Sequence, residues 1–552
     1  MEKIRIKNLR TLDDTGCIDI KPLTVLVGKN SSGKSTFLRF FPLMKQTVLT
    51  KKNEPILWYS KDNVDFGSFE ESINKQNKEK PIEFEFYFKM PSFEIFPPNI
   101  LDMYLRVSLE KDKIKELSMK VYENEFLFAE QDGSYSLHIN NKKITNPHNL
   151  YTDGTFNSFL PSFTSEKMDD DLKEPSLSRL KRRSISKDQF EIYLLEYLME
   201  NTSIIDRYAD EKNRINILRS DINDIVKVLN MEKLELLSSK KRDLLKNLKK
   251  EIDSNKSFLR DLFEDDDDDK DKESFLSNLS KENIIIEHME NNFNNKEEYD
   301  NLSNVLLLFY INPLINLCND YFDSYFSKVH YIAPLRASAQ RYYRIQGLAV
   351  DEIDPQGENI PMAIHNLSFS EKNKFKNWTK RNFGFEIDTK PKSGHITLTI
   401  SFNDSDDNLN LTDTGFGFSQ ILPIILLLWR TENIGKKRHP DNNFSTHHNI
   451  VIEQPELHLH PALQAKLTDA LVNCIFRAKN KIKLSIIIET HSETIINRIG
   501  TLIYKKRIQG KDINILIFGN SENSSKNCLK SATYDEEGII NEWPLGFFYP
   551  ED

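Results

Sequence analysis

Short apolar stretches, some alternating with polar residues and some continuous, punctuate roughly the first 150 residues: Lys3 to Ile6, Leu23 to Val27, Ile82 to Phe88, Leu101 to Leu109 and Tyr135 to Ile139. Alternation and short apolar runs between turn residues predict strands, and the segment after Gly33 predicts a helix. From about 160 to 325 the chain turns to Lys, Glu, Asp, Asn and Leu with almost no Gly or Pro. Ile215, Leu218, Ile222, Ile225 and Leu229 recur at steps of three and four, and Leu244, Leu248 and Ile252 continue a stripe after an offset. That period predicts a long amphipathic helix. The run Asp265 to Asp269, then Lys270, Asp271 and Lys272, repels itself and marks an exposed break; a second helical stretch is predicted over about 274 to 328. Beyond Tyr331, strands and helices alternate: Ile396 to Ile400, a helix after Ser419, Asn449 to Ile452, a helix after Pro461, and Leu484 to Ile488. The pattern predicts an α/β head with a mixed sheet flanked by helices. Its N-terminal lobe is 1–155, its C-terminal lobe 329–552, and a helical or coiled-coil module is inserted at 156–328.

Composition narrows the class. At 552 residues the chain exceeds one ordinary core. It is 38% hydrophobic and 29% charged, without an apolar run near the ~20 residues a bilayer helix needs, so no membrane association is expected. The start MEKIRIKNLR has no apolar signal core, and a cytoplasmic location is expected. Cys17, Cys318, Cys474 and Cys528 are scattered singly, without the spacing of a zinc site or disulfide framework. A net charge of −9 gives no global attraction to nucleic acid. Any such contact would fall to local clusters: Lys240, Lys241 and Arg242 with Lys246, Lys249 and Lys250, and Arg179, Lys181, Arg182 and Arg183. A solvated helix face explains them equally well.

Four segments carry chemistry. Thr24-Val-Leu-Val-Gly28-Lys-Asn30-Ser31-Ser32-Gly33-Lys34-Ser35-Thr36 is a strand, a Gly-bounded loop and a helix start, the pattern of a P-loop. In such a loop backbone N–H groups turn on phosphate oxygens, Lys34 reaches the β and γ phosphates of ATP, and Ser35 ligates Mg2+. Ile450-Val-Ile-Glu453-Gln454-Pro455-Glu456-Leu-His458-Leu-His460-Pro461 is an apolar strand ending in acids. Set beside the P-loop strand, it would bring Glu453 to the Mg2+. His458 and His460, two apart with no third ligand, make a poor metal site. Leu484-Ser-Ile-Ile-Ile-Glu489-Thr490-His491-Ser492 ends in a His able to hydrogen-bond a γ-phosphate. Finally Asp413-Thr-Gly415-Phe-Gly417-Phe-Ser419-Gln420 leads into the apolar helix Ile421 to Trp429. It is a second anion-binding helix start, useful if two heads meet head to tail and each completes the other's site.

In their order these motifs resemble the ABC-type ATPases of the overcoming-lysogenization-defect and related recombination-protein branch. Tyr331-Ile-Ala-Pro-Leu-Arg336-Ala and Gly538-Ile-Ile-Asn-Glu-Trp543-Pro544-Leu-Gly546-Phe547-Phe548 share in the likeness, which covers residues 1 to about 90 and 330 to 552. Within that branch the chain is similar to the ATPase subunit of Septu-type anti-phage systems, including retron-associated ones. The resemblance implies an ATPase with ATP and Mg2+ that works as a homodimer or higher oligomer. Its implied partners are a separately encoded small HNH-type nuclease and, in retrons, a reverse transcriptase with structured DNA. A competing reading is a DNA-repair or chromosome-maintenance ATPase that clamps nucleic acid, for which an insertion under 170 residues is short.

Two departures stand out. Gln454 occupies the position where such ATPases usually carry a general base, and an amide can orient water but cannot take its proton. Slow hydrolysis follows, with Glu456 as substitute base or with ATP serving as a clamp. About 60 residues follow His491, too few for the nuclease domain of larger relatives.

Overall fold

The computed structural model describes residues 1–91, 100–111, 113–121, 124–139, 142–143, 150–152, 154–165, 315–347, 349–402, 408–434, 447–479, 481–520 and 527–544. Most of the expected helical module lies outside the described residues, with Lys240, Lys241, Arg242, Arg182 and Arg183.

A seven-stranded sheet forms the centre, in the order Val329–Ile332, His447–Glu453, Lys483–Glu489, Leu23–Gly28, Ile513–Asn520, Asn527–Tyr534 and Ile540–Asn541. The first five strands are parallel and the last two antiparallel. Every residue of Leu23–Gly28 is buried, as a continuous apolar run demands of a parallel strand covered on both faces. Alternate side chains feed two cores. Leu26, Val451, Ile487 and Leu516 point to the face covered by the helix Lys34–Leu49. Val25, Val27, Ile450, Ile452, Ile486 and Ile488 point to the other, covered by the helices Phe416–Glu432, Pro461–Ala478 and Glu493–Tyr504.

A second, eleven-stranded antiparallel sheet runs from Phe163–Ser165 through the long hairpins of Ile82–Pro91, Ile100–Glu110, Lys113–Val121 and Asn124–Gln131 to Lys3–Leu9 and Leu12–Asp14. It packs on the far side of Lys34–Leu49, with Phe40 and Phe84 ring centroids 5.1 Å apart. The helix that begins the P-loop is thereby held between two sheets, and Phe37, Phe40 and Phe41 are fully buried. A four-stranded sheet built on Phe385–Lys392 and His395–Phe402 carries the helix Phe369–Phe383, which a Ser368–Glu371 capping box starts and left-handed Gly384 ends.

The α/β class is as expected, and the structure adds three details. The P-loop strand lies in the middle of a sheet otherwise made by residues after 329, so the two predicted lobes share one sheet. Both edges of the 156–328 interval belong to the head. Phe156, Phe159, Leu160 and Phe163, and Ile315, Cys318, Phe322 and Phe326 from a helix over 315–326, are buried in the same core as the P-loop helix. Their aromatic rings interlock with the antiparallel sheet, Phe86 to Phe322 at 4.9 Å and Phe88 to Tyr321 at 4.4 Å. Finally, Lys483–Glu489 stands between the P-loop strand and His447–Glu453, so Glu453 is one strand further from the P-loop than its sequence context suggested. Among the described residues no helix is long and apolar enough to cross a membrane.

If the 315–326 helix is part of the head core, truncating Phe322 should be costly. Phe322→Ala is expected to lose about 3–5 kcal/mol of unfolding free energy in a denaturant titration. A loss below about 1 kcal/mol, the scale of a surface change, would place that helix outside the core.

Candidate functional site

Gly28 ends the P-loop strand at φ 145°, and a Cβ there would come within 2.1 Å of the Phe518 carbonyl oxygen, so only glycine fits against the neighbouring strand. Lys29, Asn30 and Ser31 are exposed, Ser31 with a left-handed φ of 61°. Ser32, Gly33 and Lys34 are buried, and Ser35 and Thr36 half-buried in the first helical turn. The Ser32 hydroxyl oxygen is buried with no hydrogen-bond partner among the described residues, which suits a loop built to receive an anion. Lys34 folds back over the loop and donates to the carbonyls of Gly28 at 3.0 Å and Lys29 at 2.6 Å. Burial lowers its pKa, against the pull of Glu489. These features fit ATP phosphates: an N-terminal helix end, loop residues that a polyanion can reach, and an ammonium hydrogen-bonded to carbonyls that the phosphates outbid.

Two carboxylates stand side by side at the carboxyl ends of adjacent parallel strands, Glu453 in register with Glu489. Both are buried, at 2% and 3% exposure. Glu489 accepts the Ser35 hydroxyl at 2.7 Å and lies 3.9 Å from the Lys34 ammonium. Burial raises its pKa, opposed by the Ser35 hydrogen bond, and the Glu453 charge raises it further. Glu453 accepts both guanidinium arms of Arg39, at 2.6 and 2.9 Å, and the Tyr331 hydroxyl at 2.6 Å. Burial and the Glu453 charge hold Tyr331 protonated, a permanent donor. The carboxylate that touches Ser35 in this structure is Glu489, with Glu453 beside it on the next strand.

Around the acidic strand end, Gln454 adopts a left-handed φ of 43° and donates its N–H to the Glu489 carbonyl at 2.8 Å. Glu456 accepts the His491 N–H at 2.7 Å through one oxygen, while its other oxygen is buried with no hydrogen-bond partner among the described residues. Burial raises its pKa, opposed by that N–H. The His491 side chain is at the solvent edge, and partial burial and then Lys34 lower its pKa. Arg336 crosses beneath this loop. It donates to the Glu453 carbonyl at 2.7 Å and the Gln454 carbonyl at 3.3 Å, and burial brings its pKa down to about 10.

The last predicted piece is placed differently from expectation. The helix starts at Phe416 with Gly415 as its cap, so Ser419 lies inside the first turns. Ser419 and Gln420 are buried, Ser419 donating to the Phe416 carbonyl at 2.7 Å and Gln420 to the Arg336 carbonyl at 3.3 Å. Gly417 is fixed by its own subunit, since a Cβ would meet the His458 carbonyl oxygen at 2.5 Å. Of the named residues only Gly415 faces open space, and Phe416 beside it is exposed. Within this one copy the Ser419 hydroxyl and the Gln420 amide are engaged by the helix's own turn and by the Arg336 loop.

The structure thus gathers Lys34, Ser35, Glu453, Gln454, Glu456 and His491 at one edge of the sheet. It adds four residues that were not singled out: Arg39, Tyr331, Arg336 and Glu489. Tyr331 and Arg336 lay in a quoted motif and Glu489 directly before His491; Arg39 has no signal beyond its place in the P-loop helix.

Arg39 is testable by itself. Arg39→Ala leaves Glu453 buried without its guanidinium and is expected to cost about 2–3 kcal/mol. Glu453→Gln in that background should recover part of the loss in thermal unfolding, because a buried amide needs no counter-charge; absence of any recovery would mean the pair contributes by packing alone.

None of the curated proteins matches the chain significantly. Among solved structures, the SMC head domain from Thermotoga maritima is similar over 96% of this chain and 97% of its own, at 8% identity and a TM-score of 0.30. The model of the family described as the AAA ATPase domain matches residues 1–496, nearly the whole of the head, and the chain belongs to that AAA ATPase family.

Proposed function

We propose that the chain binds ATP with Mg2+ at the P-loop, hydrolyses it slowly, and uses the bound state to gate a separately encoded nuclease in an anti-phage defence complex. The observation that carries the nucleotide part is the juxtaposition of Lys34 and Ser35, at a buried helix N-terminus, with Glu489, Glu453 and Glu456 at the strand ends. Lys34 exchanges its two loop carbonyls for phosphate oxygens, and Mg2+, when bound, neutralises phosphate charge next to Ser35. Gln454 can orient the attacking water. Glu456 is the better acceptor for its proton, with one oxygen anchored by His491 and the other unpartnered, and a pKa raised towards the working range of a base. His491, beside Lys34, is within the electrostatic reach of the γ-phosphate site.

A head-to-tail homodimer fits the exposed apolar side chains Leu335, Tyr342 and Phe416, which flank Arg336 and Gly415 and would be covered by a second copy. The defence role, the small HNH-type nuclease and the reverse transcriptase with structured DNA rest on the resemblance in motif order. The clusters at Lys240, Lys241 and Arg242 and at Arg182 and Arg183 are then candidate contacts for that DNA.

Turnover separates the two candidate bases. Glu456→Gln is expected to lower ATP hydrolysis by about 10²–10⁴-fold while leaving nucleotide binding intact, and Gln454→Glu to raise it. A fast wild type that neither change affects would refute both roles.

Assembly supplies the second check. Light scattering should show ATP and Mg2+ shifting the wild type, but not Lys34→Ala, to a dimer. Lys34→Ala, expressed with its neighbouring genes, should also lose phage restriction in a plaque assay. A strict monomer under all conditions sinks the dimer, and undiminished restriction by the variant sinks the gating role.

A further inference from the structure

The nucleotide residues gather at the carboxyl ends of the parallel strands. At the amino ends, roughly 20 Å away along strands such as Lys483–Glu489, the helices Pro461–Ala478 and Glu493–Tyr504 return the chain to begin Lys483–Glu489 and Ile513–Asn520. Arg498 clamps Asp469 through two hydrogen bonds of 2.7 Å, so the two helices run side by side. The strands that follow them flank Leu23–Gly28 and lie about 10 Å apart at the usual strand spacing.

Both helices end in exposed aromatic and basic side chains. Phe476 and Tyr504 are 69% and 68% exposed. Lys479 and Lys483 follow the first ring, and Lys505, Lys506 and Arg507 the second; all are exposed, and none has an ion-pair partner among the described residues. Cations near a helix C-terminus are ordinary where they meet acids or terminal carbonyls. Arg477 and Lys481 do so, Arg477 pairing with the Glu432 carboxylate at 2.6 Å and Lys481 donating to the Glu432 carbonyl at 2.7 Å. After Tyr504 the last turn is closed instead by the backbone N–H groups of Lys506 and Arg507, at 2.7 and 2.9 Å, which leaves their side chains to solvent. The turn Asp535 to Glu537, beyond Ile513–Asn520, bears acids, yet no ion pair joins it to this strip among the described residues. In a chain of net charge −9 such an unmatched basic strip departs from the average surface.

Charge alone suits any polyanion, and the two rings narrow the choice. An aromatic side chain stacks on a base whose face is open, as in a single strand, whereas a duplex keeps its bases stacked on one another. We propose that this amino-end edge binds single-stranded nucleic acid, DNA or RNA, without sequence preference. Lys479, Lys483, Lys505, Lys506 and Arg507 meet the phosphates, and Phe476 and Tyr504 stack on bases. The surface lies at the far end of the sheet from the P-loop and does not rest on the nucleotide reading.

The test follows the fluorescence anisotropy of a labelled mixed-sequence oligonucleotide, single-stranded or annealed as a duplex, with the full chain across a potassium chloride series. The wild type is expected to favour the single strand. Phe476→Ala and Tyr504→Ala should each weaken it roughly 5–150-fold at an unchanged salt slope, with ATP-analogue binding and thermal unfolding at the wild-type level. Lys505→Gln, Lys506→Gln and Arg507→Gln together should flatten the slope of log affinity against log salt by about 2, at roughly 0.7 per phosphate contact. Ring variants of wild-type affinity, an unchanged slope in the Gln variant, a duplex bound as tightly as the single strand, or a wild type that binds neither, overturn the proposal. Polyglutamate that displaces the oligonucleotide as well as unlabelled single strand does would assign this edge to an acidic protein and overturn it too.

Discussion

Two carboxylates buried next to each other on adjacent strands cannot both stay charged without counter-charges, and the head is organised around supplying them. Desolvation and mutual repulsion act together at Glu453 and Glu489. The P-loop helix answers both from one element: Arg39 clamps Glu453, and Lys34 and Ser35 face Glu489. Rotation or fraying of that helix would strip both acids at once. Its burial between two sheets, with Phe37, Phe40 and Phe41 fully enclosed, keeps the three polar side chains in register.

The antiparallel sheet, which carries none of the recognised motifs, therefore acts on the chemistry through packing. Phe84 and Phe86 press on Phe40, and Phe322 and Phe326 close the other side of the same aromatic cluster. On the opposite face, Arg336 links the strand-end loop to the helix at Phe416 through Gln420. A displacement at the exposed Gly415 end has a short, hydrogen-bonded route to the carbonyls of Glu453 and Gln454.

Much of this was legible in the sequence where local chemistry decides it. The P-loop, the acidic strand, the His491 strand and the long strands of the first 150 residues show a continuous or alternating apolar pattern closed by a turn. Strand order is a non-local property, and no window of sequence says that Lys483–Glu489 inserts between its two partners. The importance of Glu489 was hidden for that reason, though the residue sits beside a recognised His. The surroundings of Ser419 depend on another non-local feature: the pattern fixes that a helix follows Gly415, but not which side of its first turn meets the Arg336 loop. Phe156 to Phe163 and the helix over 315–326 fall inside the interval assigned to the inserted module, yet their aromatic side chains are buried in the head core, a long-range packing that local composition does not specify.

The position of Leu23–Gly28 in the central sheet also bears on how the chain is made. Lys21 reaches the Ile513 carbonyl, 492 positions later, and the strand between them and the P-loop lies against Ile513–Asn520 on one side and Lys483–Glu489 on the other. At about 5–20 residues per second, a ribosome takes about 25–100 s to deliver the far partner after the near one has emerged. The hairpins of the antiparallel sheet close over short loops and can form in that interval, whereas the P-loop strand stays without a neighbour on either edge. The segment that grips the nucleotide is made long before the two strands that complete it.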